Sequence, residues 1–170
     1  MRQAFRLVLA ALAALTFAGC SNIDCPLDNV VLAQAGLYSY ETKQALKLTD
    51  SLTVTLPQTG MAVLHRATGI QSFLFPLKEG AGCDTLLCRF SNSAGQQATD
   101  TLFLTHTPSP HFESLDCPPA VFHTLTGVRA TSHSLGQMPL TIDSVSVVRS
   151  SVNYDDIENI RIFLRATASH

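Results

Sequence analysis

From residue 29 onward the chain alternates apolar and polar side chains in short runs. In "DSLTVTL", Leu52, Val54 and Leu56 fall on one side and Ser51, Thr53 and Thr55 on the other. "DTLFLTH" sets Leu102, Leu104 and His106 against Thr101, Phe103 and Thr105. "DSVSVVR" repeats the period through Val145 and Val147, and "ENIRIFLR" carries Ile160, Ile162 and Leu164 between Arg161 and Arg165. Two-residue alternation rich in Thr, Val, Ile and Phe predicts half-buried strands.

The runs "VVLAQAGLYSY", "MAVLH", "QSFLFPL", "TLLCRF", "HFESLDC" and "FHTLTGVRATSH" add further candidate strands. Pro57, Gly60, Gly69, Gly80, Gly82, "SNSAG", "TPSP", "CPP" and "GQMP" punctuate them as turns. The spacing predicts about eight to ten strands without intervening helices, which means an all-β fold. The expected architecture is an antiparallel β-sandwich, immunoglobulin-like in layering, with a small β-barrel as the alternative. Residues 29–170 read as a single sandwich domain, with "TPSP" as a hairpin turn or a crossing between sheets.

The first nineteen residues follow a different pattern. Arg2 and Arg6 precede an apolar run from Leu7 to Ala18 and small residues follow, the layout of a secretory signal. That run is well short of the roughly 20 residues of a spanning helix. Phe17-Ala18-Gly19-Cys20 resembles the lipobox of bacterial lipoproteins, although Phe17 stands where leucine is usual. The resemblance implies a signal peptide over 1–19, acyl chains such as palmitate on Cys20, and a lipid-anchored segment over 20–28. Two or more acyl chains hold a protein stably on a bilayer. The membrane is therefore the first expected partner.

Removal of the signal leaves roughly 150 residues, enough for one domain with a real core. The whole chain has 11 basic and 13 acidic residues, and both signal arginines leave with the peptide. No dense run of lysine or arginine remains, which argues against nucleic-acid binding. Beyond Cys20 there are four cysteines, Cys25, Cys83, Cys88 and Cys117. An even number in an exported chain favours disulfides, with three pairings open. Their spacing lacks the CxxC and histidine pairs of a zinc site, so no metal is assigned.

"FESLDCPPAVFHTLTGVR" (112–129), "NSAGQQATDTLFLTHTP" before it, "ENIRIFL" near the end and the leading "GCSNIDC" together resemble a family of small Bacteroidetes outer-membrane lipoproteins of uncharacterised function. That resemblance implies a bond between Cys25 and Cys117, which leaves Cys83 with Cys88. A Cys83–Cys88 bond requires a turn around Asp84–Leu86, because five extended residues span about 16 Å and a bridge allows only about 7 Å.

Three smaller constellations are candidates for chemistry. His106 and His111 flank "TPSP" and would face each other across a tight hairpin, a metal-binding arrangement. The plainer reading ends an apolar face with His106 near solvent and leaves His111, His123 and His133 as exposed strand residues. Asp155, Asp156 and Glu158 in "NYDDIEN" lack the glycine and rhythm of a calcium loop, and read as a solvated acidic turn. Tyr38 and Tyr40, two apart on one strand, share a face suited to sugar stacking or protein contact.

Enzyme signatures are missing. The chain has no G-x-S-x-G, H-E-x-x-H, P-loop or G-x-G-x-x-G. Within Ser132-His133-Ser134 neighbouring side chains point to opposite faces, so this is no nucleophile–base pair. No catalytic residue and no cofactor is assigned. The expected role is that of a non-catalytic envelope lipoprotein on the periplasmic side of the outer membrane, associating with envelope proteins. A ligand-binding module for sugar or metal is the alternative.

Overall fold

Alternation becomes pairing in the computed structural model, which describes residues 30–80, 82–155 and 157–167. Ten strands follow in chain order: β1 (Leu32–Ser39), β2 (Ser51–Leu56), β3 (Met61–Ala67), β4 (Ser72–Pro76) and β5 (Cys83–Ser91) form the first half. β6 (Gln97–His111), β7 (Ala120–Ala130), β8 (Leu140–Val147), β9 (Ser151–Val152) and β10 (Glu158–Ala166) complete it. The expected signal segment 1–19, the segment 20–28 with Cys20, and Cys25 lie outside the described residues.

The strands divide into two layers, a four-stranded sheet β4-β1-β10-β8 and a six-stranded sheet β3-β2-β5-β6-β7-β9. This is an all-β sandwich. Between the layers lies one hydrophobic core. Ala33, Ala35, Leu37, Phe75, Ile160, Ile162 and Leu164 face it from the smaller sheet. Leu52, Val54, Leu86, Phe90, Leu102 and Leu104 face it from the larger. Phe75 and Phe90 are among the largest fully buried side chains, and each such side chain contributes about 1.5–3 kcal/mol of burial.

The sheets are not antiparallel throughout. β1 pairs with β10 in parallel, from Gln34 opposite Glu158 to Ser39 opposite Leu164, while the other strand ladders among the described residues are antiparallel. The first and last strands therefore lie side by side in the middle of the smaller sheet. Nothing in a two-residue period encodes strand direction.

The "TPSP" segment is neither a hairpin turn nor a crossing. It continues β6, with Pro108 opposite His123 and Pro110 opposite Val121 on β7. The prolines are tolerated because β6 outruns β5, whose pairing starts at Cys83 opposite Thr105. His106 N–H points to that side and donates to Gly82 O at 2.9 Å. Pro108 and Pro110 share its parity, so their missing N–H groups would face an edge that carries no strand among the described residues.

"HFESLDC" departs from expectation as well. After His111 the chain leaves the sheet, Phe112 and Leu115 stand exposed, and Asp116 N–H turns back onto Ser114 Oγ. Both faces of that run mix polar and apolar residues, so neither could be buried as a strand. Pro118 and Pro119 remove two further ladder donors.

Candidate functional site

The outward face of the smaller sheet gathers aromatic rings and cations. Tyr38 on β1 lies beside Phe163 on β10, its register partner, with ring centroids 5.8 Å apart. Lys43 Nζ sits 3.8 Å from the Tyr40 ring centroid and 4.8 Å from that of Phe163. The Arg161 guanidinium is 4.9 Å from the Tyr38 ring, and Arg165 is 5.9 Å from that of Tyr40. Carboxylates fix the arginines: Arg161 donates to Glu158 at 2.7 Å and Arg165 pairs with Asp143 at 3.0 Å. Exposed pairs of this kind are weak in energy but hold the guanidinium planes over the rings.

A glycine makes room for this arrangement. Glu158 reaches across Gly36 to accept from the Tyr38 hydroxyl, at 2.9 Å to its nearer oxygen. A Cβ on Gly36 would stand 1.9 Å from Glu158 Oε2. Burial and the Glu158 carboxylate push the Tyr38 phenol above its ordinary range. Tyr38 and Tyr40 thus do share a face, and sequence reasoning missed the residues that surround them.

Inside the sandwich lie two carboxylate–imidazole networks. Asp84 on β5 sits 2.8 Å from His106 Nε2 on β6, and His106 Nδ1 lies 3.1 Å from His123 Nδ1 on β7. All three residues are buried, and Asp84 also accepts from Lys78 N–H at 3.0 Å. With Nε2–H of His106 donated to the carboxylate, its Nδ1 accepts from Nδ1–H of His123, so neutral rings satisfy the chain of bonds. Burial and the neighbouring His106 lower the pKa of His123, with Asp84 opposing them.

That shift sets a pH dependence. A depressed histidine favours the uncharged fold, so its contribution to stability is complete above the unfolded value near 6.5 and is lost as pH falls through the folded value. Denaturant midpoints are expected to decline as pH drops from about 7 to 5, and His123→Gln is expected to flatten that slope. An unchanged slope in the variant would assign the acid sensitivity elsewhere.

Asp100 centres the second network and is completely buried. Its Oδ1 lies 2.8 Å from His133 Nδ1, while Oδ2 accepts from the Thr141 hydroxyl at 3.0 Å and from Ile142 N–H at 2.9 Å. β6 belongs to the larger sheet and β8 to the smaller, so one carboxylate ties the two layers together. β8 is an edge strand, and Ser132 Oγ donates to Ile142 O beside the Asp100 bond. Ser132 and His133 therefore cover a sheet edge that would otherwise expose unpaired backbone.

These positions correct three expectations. His106 and His111 do not face each other. They occupy one strand, and His106 meets His123 while His111 stacks on Phe122 with centroids 4.2 Å apart. His123 is buried and the His133 side chain is only 7% exposed, so neither is an exposed strand residue. Among the described residues, no group of three or more His, Cys, Asp or Glu is arranged to hold a metal ion.

The Cys83–Cys88 bond is overturned. Both thiols are free, Cys83 exposed and Cys88 buried, because β5 is strand from Cys83 to Ser91 without a turn at Asp84–Leu86. An odd offset also sends the two side chains to opposite faces. Burial and the Asp100 carboxylate push the Cys88 thiol up to about 12, so it fills space as a small apolar group. Cys117 is disulfide-bonded, with its partner outside the described residues. In the acidic turn, Asp155 is held by Arg149 at 2.8 Å, whereas Glu158 belongs to the Tyr38 cluster. Asp156 lies outside the described residues.

Comparison with known proteins adds one likeness: residues 51–164 match a family described as a family of unknown function (DUF6452). No curated protein and no solved structure matches the chain.

Proposed function

Taking as premise that the chain belongs to this family of unknown function (DUF6452), we propose that it is a non-catalytic envelope lipoprotein whose sandwich associates with other envelope proteins. The carrying observation is the exposed face of Tyr38, Tyr40, Phe163, Lys43, Arg161 and Arg165. Tyrosine and arginine are the residue types that dominate binding energy at protein interfaces. Fixing them beforehand through Glu158 and Asp143 lowers the ordering cost of association. By contrast, the buried imidazoles and carboxylates of Asp84, His106, Asp100 and His133 are engaged in holding strands together.

The anchor in this reading is acylated Cys20 on an outer membrane of the Bacteroidetes type, with the domain on the periplasmic side. A Cys25–Cys117 bond would tie the amino-terminal segment to the sandwich. It is supported by the bonded state of Cys117 and the free thiols of Cys83 and Cys88. Closing a loop of that length is worth about 4–5 kcal/mol in the chain-entropy model.

A photo-crosslinking residue at position 163 in native membranes tests the association. The expected result is a discrete crosslinked envelope protein that a probe at Thr99, on the opposite face of the molecule, does not capture. Arg165→Glu should weaken that crosslink severalfold. Equal capture from both positions would remove the assignment of this face.

A further inference from the structure

Arginines are treated differently on the two outer faces. On the smaller sheet Arg161 and Arg165 each meet a carboxylate. The strands of the larger sheet carry Arg66, Arg89 and Arg129, and their only two carboxylates, Asp84 and Asp100, are buried in the networks above. None of these three arginines forms an ion pair among the described residues. A protein with a formal net charge of −2 thus carries a sheet face of guanidinium groups with no exposed acid on its strands.

Two of these arginines converge. Arg66 on β3 and Arg89 on β5 line a cavity of about 230 Å³ together with Thr53, Ser91, Asn92 and Gln97. Thr53 is the register partner of Arg89, and Ser91 is that of Gln97. Arg66 has a left-handed backbone with φ of 46°, which a residue bearing a Cβ seldom adopts. It sits where the β2–β3 pairing slips between Leu52 and Val54. Its N–H donates to Thr53 Oγ1 at 3.1 Å, which holds that backbone in place. A slip of this kind re-aims a side chain. Accepting that bond also leaves the Thr53 hydroxyl hydrogen free to be donated into the cavity.

We infer that this pocket binds a tetrahedral oxyanion, the phosphate or sulfate group of a larger envelope molecule. Two guanidinium forks from neighbouring parts of one sheet, with hydroxyl and amide donors between them, offer more hydrogens than a carboxylate's two oxygens accept. They suit the three outward oxygens of a phosphate or sulfate ester. The open rim leaves room for whatever carries the group. The site stands on the opposite layer from the Tyr38 face, so the oxyanion pocket is independent of the association proposed above, and only the envelope origin of its ligand rests on that reading.

Titration of the full-length protein in detergent with inorganic phosphate, sulfate and acetate, at low ionic strength and followed through the arginine side-chain resonances, tests this. Saturable binding of phosphate and sulfate is expected, weakened about tenfold or more by Arg89→Gln, the loss of one strong charge-assisted contact. Arg66→Gly removes the second guanidinium while keeping the left-handed backbone, and should weaken binding similarly. Arg149→Gln, at an exposed ion pair elsewhere, should not. Tighter binding of glucose 6-phosphate would assign a saccharide source, and tighter binding of short-chain phosphatidate a lipid headgroup. Absence of saturable binding, undiminished binding by the Arg89 and Arg66 variants, or acetate bound as tightly as phosphate would overturn the inference.

Discussion

Asp100→Ala is expected to lower the free energy of unfolding by about 3–5 kcal/mol, because it removes the acceptor that three buried donors share. The physical cause is what the substitution leaves behind. His133 Nδ1, the Thr141 hydroxyl and Ile142 N–H lose their common acceptor in a place that water does not reach. Each orphaned group costs about 1–3 kcal/mol, partly recovered by relaxation. In a domain of this size the melting temperature should fall by roughly 10–15 °C. The Asp100→Asn substitution keeps the shape but turns an amide towards donors, so it should fall between wild type and alanine. A loss under about 1 kcal/mol for alanine would show that Asp100 does not hold the layers together.

The Asp84–His106 pair should behave as a unit. His106→Leu leaves a buried carboxylate with Lys78 N–H alone and His123 Nδ1–H without its acceptor, and Asp84→Leu leaves His106 Nε2–H and Lys78 N–H without theirs. Either single change is expected to cost about 3 kcal/mol or more. The double leucine variant should cost clearly less than the two together, with a coupling of about 1–3 kcal/mol measured in denaturant. Strict additivity would mean that the 2.8 Å contact contributes nothing beyond packing.

Both networks were half-legible in the sequence. Asp84 shares the parity of Leu86, Cys88 and Phe90, and Asp100 shares that of Ala98, Leu102 and Leu104. A carboxylate on the apolar register of a strand must either find partners inside or break the strand. That signal stands in "CDTLLCRF" and "ATDTLFL", and reading only the apolar positions passes over it. The partners themselves were not legible. His106 meets His123 through the β6–β7 register, and Asp100 meets Thr141 across layers. Both depend on long-range pairing that local alternation does not specify.

The same limit explains the other departures. Alternation located most of the strands well, because half-buried strands must alternate. Pro108 and Pro110 read as punctuation, although β6 carries them along an edge that β5 never reaches. Cys83 and Cys88 invited pairing through arithmetic, while the alternation of "TLLCRF" already required an extended backbone. Tyr38 and Tyr40 were legible as sharing one face because that follows from their spacing. Their cationic neighbours arrive from β10 and from the turn after β1, which spacing does not bring together.

In the proposed function this sandwich works at a membrane, tethered through the sulfur at position 20. Intact-mass and amino-terminal peptide measurement of the protein from its native host tests it most directly. The expected result is a chain beginning at Cys20 with acyl chains on that residue. A chain that retains Met1, or one that begins at an unmodified Cys20, would contradict it.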